Sequence, residues 1–235
     1  MSTLASAYRW CIGLVWVGFL CASVIVASLF FPERAWDPFF KAMQKGLFRV
    51  LFIPVEVRGA AKVARRAGVL FMANHVSLFD VPLLGGFLPG MVRGVEWAAH
   101  FRWPLFGLLL RRVGNIPIDR ENAFSAMDSL RKARKRLAAR QSLVILPEAH
   151  RTMDGELLPF KRLPFHMARD AGVDIVPVGL SGLYSLKNKH SWKIRSVRLK
   201  IAIGEAITRE EIAGCSLDEL RAMTRQRIAG LIERR

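Results

Sequence analysis

His75 and Asp80 stand five positions apart in the run Asn74-His75-Val76-Ser77-Leu78-Phe79-Asp80. The five residues before that run, Val69-Leu70-Phe71-Met72-Ala73, are all apolar. A buried strand that ends in a polar corner is where a parallel α/β sheet keeps its chemistry. If a helix starts near Phe79, the intervening turn can fold the Asp80 carboxylate back onto the His75 ring. A carboxylate on one ring nitrogen fixes the tautomer and leaves the other nitrogen to take a proton from an incoming hydroxyl. The plainer readings are a core histidine with a satisfied hydrogen bond and an aspartate that caps a helix. A Ser-His-Asp reading has little support: Ser77 lies two residues from His75 in a tight turn, and no G-x-S-x-G elbow occurs in the chain.

Two further polar runs follow apolar ones. Gly114-Asn115-Ile116-Pro117-Ile118-Asp119-Arg120 reads as a strand ending in an Asp-Arg pair, and Leu146-Pro147-Glu148-Ala149-His150-Arg151-Thr152 as another strand with a polar end. Both put a guanidinium at a strand's carboxyl end, where His75 also sits. Arginine binds phosphate through a planar, bidentate fork. Arg120 and Arg151 beside a general base therefore suit a phosphorylated alcohol, and Lys161 and Arg162 lie close enough in sequence to join them. Taken singly, each arginine reads more readily as a surface or helix-capping residue; three polar strand ends with matching chemistry favour the site.

The elements needed to hold these corners are legible as strand-helix alternation. Strands are expected at 55–58, 69–73, 92–97, 115–118, 143–146, 175–180 and 197–203. Helices are expected at 78–88, 101–112, 121–140, 165–171 and 216–233. Phe124, Met127, Leu130 and Leu137 mark the apolar face of the long central helix. Ser216 followed by Glu219 is a capping box at the last one. The fold class is thus α/β, a single domain with a mixed, largely parallel sheet flanked by helices.

Residues 1–54 read as an N-terminal membrane anchor and 55–235 as the domain that carries the chemistry. Trp10 to Phe31 is 22 residues without a charge, about 33 Å as a helix and long enough to cross a hydrocarbon core. An uncleaved spanning anchor is expected, with a re-entrant or interfacial helix and a cleaved signal as the other options. Pro38 to Phe52 reads as an amphipathic helix with Lys41, Lys45 and Arg49 opposite its apolar face. It suits either the membrane surface or the cover of the sheet. Those three cations place the following domain on the cytoplasmic side of the inner membrane.

The composition agrees with a membrane partner. A net charge of +17, from 36 basic and 19 acidic residues, calls for anionic partners: lipid headgroups, nucleic acid or phosphorylated substrates. A hydrophobic content of 52% argues for lipid, and no aromatic-interleaved platform supports nucleic acid. The basic run Arg131 to Arg136 is a solvated helix face suited to anionic lipid or an acidic carrier protein. Cys11, Cys21 and Cys215 form no disulfide or metal pattern, and His100, His166 and His190 have no partners at ligand spacing, so no metal is expected.

The ordered motifs resemble the glycerolipid acyltransferase family, typified by 1-acylglycerol-3-phosphate acyltransferases. The family's N-H-x-S-x-x-D is matched in full by residues 74–80 and its G-x-I-x-I-D-R by 114–120. Its F-P-E-G-T-R-S is matched in part by 146–152, and its V-P-V strand by Val176-Pro177-Val178. The resemblance covers roughly residues 55–205. It implies transfer of a fatty acyl group from an acyl thioester, acyl-coenzyme A or acyl carrier protein, to the free hydroxyl of lysophosphatidic acid or a related lysophospholipid. His75 would be the base and Asp80 its orienter, with no acyl-enzyme and no cofactor. Asn74, Ser77, Arg120, Glu148, Arg151, Lys161 and Arg162 would bind substrate. The chain departs from the pattern at Ala149, where the family has glycine, at His150, and at Leu163-Pro164 after Phe160-Lys161-Arg162. Glu96 to His100 also lacks the lysine that many members carry before Pro-Leu-Phe-Gly. Alanine disfavours positive φ, so a different loop is expected there. A hydrolase using the same pair on water, and a non-catalytic lipid-binding protein, are the competing functions.

Overall fold

The computed structural model describes residues 3–63, 66–119 and 123–233. Strands β1 (Val55–Arg58), β2 (Leu70–Ala73), β3 (Val92–Trp97), β4 (Ile116–Ile118), β5 (Ser142–Ile145), β6 (Ile175–Ser181) and β7 (Leu199–Ile203) form one sheet, in the order β1-β7-β6-β2-β5-β3-β4. Every neighbouring pair is parallel except β6 with β7. The α/β expectation with a mixed, mostly parallel sheet therefore holds.

Strand β2 lies between β5 and β6, and all four of its residues are buried. The two-residue period of a strand sends its side chains to opposite faces. Phe71 and Ala73 join one core layer with Val176, Val178 and Leu83, while Leu70 and Met72 join the other with Leu143, Ile145 and Phe165. A strand buried on both faces must be apolar throughout, which is why residues 69–73 carry no polar side chain.

Helices α1 (Thr3–Phe30) and α2 (Glu33–Val50) precede the sheet. They are followed by α3 (Asp80–Phe87), α4 (Phe106–Val113), α5 (Ala123–Ala138), α6 (Leu163–Ala171), α7 (Leu183–Leu186), α8 (Arg209–Gly214) and α9 (Leu217–Leu231). The capping box expected at Ser216 is present: Ser216 N donates to Glu219 Oε2 at 2.7 Å and Glu219 N to Ser216 Oγ at 3.2 Å. A second box, Thr208 with Glu211, opens α8, which the sequence reading passed over. The helix expected over 101–112 is split. A 3-10 turn at Ala98–Arg102 comes first, and α4 starts only after Pro104. On α5, Ala133 and Leu137 are buried but Met127 is 66% exposed, so the apolar face is narrower than its spacing predicted; the side chain of Phe124 lies outside the described residues.

Helix α2 covers the sheet. Leu47, Phe48 and the following Leu51 sit in the main core layer, so of its two readings the covering helix matches the packing. Lys41 and Lys45 do not line an opposite, solvent face. The Lys41 ammonium donates to the carbonyls of Leu88 and Gly90 at the end of α3, and Lys45 lies 5.5 Å from the Phe87 ring centre. Arg93, 1% exposed, ties the start of α2 to β3 through Glu33 (2.8 Å) and Asp37 (2.6 Å).

Helix α1 is long and apolar enough to cross a membrane, and it is strapped along the domain over most of its length. Arg9 Nη1 donates to Ile194 O (3.2 Å), Trp10 Nε1 to Trp192 O (2.6 Å) and Trp16 Nε1 to Met43 O (2.8 Å). Farther on, Leu20, Cys21 and Val24 pack against Leu109 and Val113 of α4. Gly46 of α2 makes the crossing possible, because a Cβ there would run into the Trp16 ring.

Candidate active site

The carboxyl ends of β2, β5 and β6 lie side by side, and the polar corner after β2 sits among them. The chain turns at 74–79 and enters α3 at Asp80. That turn brings Asp80 Oδ2 to 2.7 Å from His75 Nδ1. The same carboxylate accepts the backbone N–H of Val76 (2.7 Å) and of Ser77 (3.0 and 3.1 Å to its two oxygens). Asp80 is fully buried and stands in the first turn of α3. The helix-start role and the ring-orienting role thus coexist in one side chain, since main-chain donors hold the charge while its free lone pairs meet the imidazole. The His75 side chain is 18% exposed, and the described residues place no partner on its Nε2. An oriented imidazole with one free nitrogen at the surface can accept a proton from an approaching hydroxyl.

Asn74 and Ser77 turn into the protein. Asn74 Nδ2 donates to Leu180 O (3.0 Å) and its Oδ1 accepts Leu180 N (2.7 Å), stitching the end of β2 to β6. Ser77 Oγ donates to Lys187 O (2.7 Å), just beyond α7. Both side chains are buried with their polar atoms engaged, so the geometry has them shape the turn, where the sequence reading had them contact substrate.

Glu148, at the end of β5, is 2% exposed. Its Oε1 accepts the backbone N–H of His75 (2.7 Å) and its Oε2 that of Leu158 (2.8 Å). The sequence reading had it position arginines or a hydroxyl; it holds main chain instead. Burial pushes its carboxyl up to about 7, against the opposing pull of the two N–H donors. His75 is gripped from its other side as well, because Thr152 N donates to His75 O (3.0 Å). The loop 148–152 thus clamps the main chain of His75 at both its N–H and its C=O.

Ala149 sits in that loop at φ 68°, the left-handed region that favours glycine. The different loop expected there is not what forms: the alanine takes the conformation a glycine would take. Arg151 is partly buried beside the clamp. Lys161 is exposed, with its main-chain N–H on Pro147 O (2.8 Å) next to Glu148. Arg162 is paired with Asp218 at the start of α9 (2.9 Å) and so is drawn away from the cluster. Arg120 lies outside the described residues. Among the described residues no group of three or more His, Cys, Asp or Glu is arranged to hold a metal.

One neighbour that sequence reasoning did not single out is Lys187, 8% exposed, whose carbonyl receives Ser77. It follows β6 by six residues and lies more than a hundred positions from His75, with no motif to flag it.

Known proteins resemble this chain in sequence and fold. The family model described as Acyltransferase matches residues 54–181. A 1-acyl-sn-glycerol-3-phosphate acyltransferase from Limnanthes alba is 31% identical over 150 residues, covering 63% of this chain and 53% of its own. The chain thus spans about half the length of that plant relative. A protein of the same name from Haemophilus influenzae is 27% identical over 176 residues, 74% of this chain and 71% of its own. A lyso-ornithine lipid O-acyltransferase from Pseudomonas aeruginosa is 34% identical over 129 residues, 55% and 48% of the two chains. The crystal structure of a 1-acyl-sn-glycerophosphate acyltransferase from Thermotoga maritima superposes with a TM-score of 0.81 over 97% of this chain and 93% of that one, at 24% identity, and so shares its fold. With its motifs in order, its fold shared and more than half its length matched, the chain belongs to the Acyltransferase family.

Proposed function

We propose that this chain is a membrane-associated O-acyltransferase. It moves a fatty acyl group from an acyl thioester, acyl-coenzyme A or acyl carrier protein, to the free hydroxyl of lysophosphatidic acid or a closely related lysophospholipid. The observation that carries this is the 2.7 Å contact between His75 Nδ1 and a fully buried, main-chain-held Asp80. His75 Nε2 takes the proton of the acceptor hydroxyl as its oxygen attacks the thioester carbonyl. The C–O bond forms, the C–S bond breaks, and the proton passes from the imidazolium to the departing thiolate. No protein nucleophile is needed, consistent with Ser77 Oγ being committed to Lys187 O.

The membrane reading rests on α1. Its outer face exposes Leu4, Leu14, Val15, Phe19, Leu29 and Phe30. Both halves are strapped to the domain, so the helix lies along the molecule with that face free for lipid. This supports an in-plane helix, embedded in one leaflet, over a helix that leaves the domain and crosses. The domain then rests on the cytoplasmic face of the inner membrane. A basic concavity of about 700 Å³ between α4, β4 and α5, lined by Arg111, Lys132, Lys135 and Arg136, suits an acidic carrier protein or anionic headgroups.

The test is transfer of a labelled acyl group by detergent-solubilised protein. Each donor is offered with lysophosphatidic acid or lyso-ornithine lipid, beside His75→Ala. Phosphatidic acid formed by wild type alone supports the proposal. Product from folded His75→Ala at the wild-type rate would overturn the mechanism. Free fatty acid released at one rate with or without acceptor would make the protein a hydrolase.

A further inference from the structure

Three segments meet beside the base. Ser77 Oγ donates to Lys187 O at 2.7 Å, Tyr184 Oη donates to Met153 O at 3.0 Å, and Thr152 N donates to His75 O at 3.0 Å. These bonds hold α7 and Lys187, the loop 148–153 and the turn 75–77 in one piece. Two cations sit in it, Arg151 and Lys187. Lys187 is 8% exposed, and its ammonium donates to Asn188 O at 2.7 Å. An ammonium has three protons to donate, so one such bond leaves two unspent. Among the described residues no carboxylate pairs with either cation. Burial, and then the Arg151 charge, hold the Lys187 ammonium below the usual lysine range. Two like charges gathered in one partly buried corner, neither in an ion pair among the described residues, are costly, and a bound anion relieves that cost.

We propose that Lys187 is a substrate-binding residue and that, with Arg151, it forms the subsite for the acceptor's headgroup phosphate. This rests on the acyltransferase reading of the same site and deepens it. The charge count favours a phosphate monoester, which carries nearly two negative charges at pH 7 and so matches two cations; a carboxylate headgroup would leave one unmatched. Position favours the acceptor over the donor. In a 1-acylglycerol phosphate the free hydroxyl and the phosphate are borne by adjacent carbons, so an anion beside His75 belongs with a hydroxyl at its ring. The phosphates of coenzyme A lie a whole pantetheine arm from the thioester.

The experiment compares wild type, Lys187→Met and Lys187→Arg, with lysophosphatidic acid and with uncharged 1-monoacylglycerol as acceptors. Methionine keeps the buried stem and removes the charge. The expected result is a Michaelis constant for lysophosphatidic acid raised about tenfold or more in Lys187→Met, with transfer to monoacylglycerol unchanged. Lys187→Arg, which keeps the charge, stays nearer wild type. An unchanged constant for lysophosphatidic acid in Lys187→Met, with wild type active, overturns the role of Lys187 alone, as does an equal loss on both acceptors. A wild type that acylates no phosphate-bearing acceptor overturns the acceptor class itself.

Discussion

The main-chain nitrogen of His75 donates to a carboxylate 73 residues further along the chain, Glu148 Oε1, at 2.7 Å. Glu148 Oε2 takes Leu158 N at 2.8 Å, so both oxygens of a buried acid face N–H donors. Glutamine cannot serve both, because its amide end would meet one of the donors. Glu148→Gln is expected to cost about 1–3 kcal/mol of stability for the N–H left unpaired, and, if His75 is the proposed base, to lower turnover by letting it shift. Thermal unfolding in detergent, with kcat measured beside it, checks both.

Glu148 also sets a pH dependence. Its carboxyl is raised from 4.5 to about 7 by burial. Between those values the unfolded chain has lost the proton and the folded chain keeps it, so stability falls as pH rises. The contribution is full below about pH 4.5 and gone above about pH 7, and amounts to about 3 kcal/mol across that window. The difference in unfolding free energy between wild type and Glu148→Gln should change over pH 4.5–7 and be flat above it. A difference that is constant from pH 4.5 to 8 would contradict the raised carboxyl.

Asp80→Asn tests the orienting contact. Asp80 Oδ2 serves His75 Nδ1, Val76 N and Ser77 N together, and an amide has one oxygen to offer. The variant should lose about a thousandfold or more in kcat by releasing the ring tautomer, with the acceptor's KM changed little. A loss confined to KM would assign Asp80 to binding instead.

Ala149→Gly should stabilise the protein. Ala149 holds φ 68°, a conformation that costs an L-residue roughly 1 kcal/mol and glycine almost nothing. A rise in the unfolding midpoint with activity kept is expected; a fall would mean that the methyl group contributes packing greater than the backbone strain.

Gly46→Ile addresses the α1 strap. Any side chain at 46 meets the Trp16 ring, and Trp16 Nε1 is bonded to Met43 O. The variant should loosen α1 from α2, seen as new proteolysis within residues 3–30 and weaker retention on liposomes, while the sheet stays folded.

The corner at 74–80 was legible because strand, turn and helix start are contiguous, so the return of Asp80 to His75 follows from local geometry. The sheet was legible because strands buried on both faces must be apolar, as at Val176 and Val178. Glu148's actual partner was not legible, since a main-chain N–H leaves no signature in a side-chain alphabet. Lys187 was hidden for a related reason: it reaches the site through a carbonyl and a fold-level approach of α7. Composition could show that α1 is long and apolar, but which carbonyls Arg9, Trp10 and Trp16 find depends on the finished surface. Met127 faces solvent because the buried stripe of α5 is carried by small residues such as Ala133, and a pattern built on large apolar residues does not count them.

The clamp on His75 has a regiochemical consequence. Thr152 follows Arg151 directly and bonds the main chain of His75, and Glu148 bonds it from the other side, so Arg151 and His75 stand on two short loops tethered to each other twice. If an acceptor is seated there by its anionic end, it presents to the ring only the hydroxyl that lies at that fixed offset. On the proposed reading the clamp works as a gauge: it would decide which oxygen of a glycerol acceptor is esterified, and an acceptor longer or shorter by one carbon would present the wrong atom.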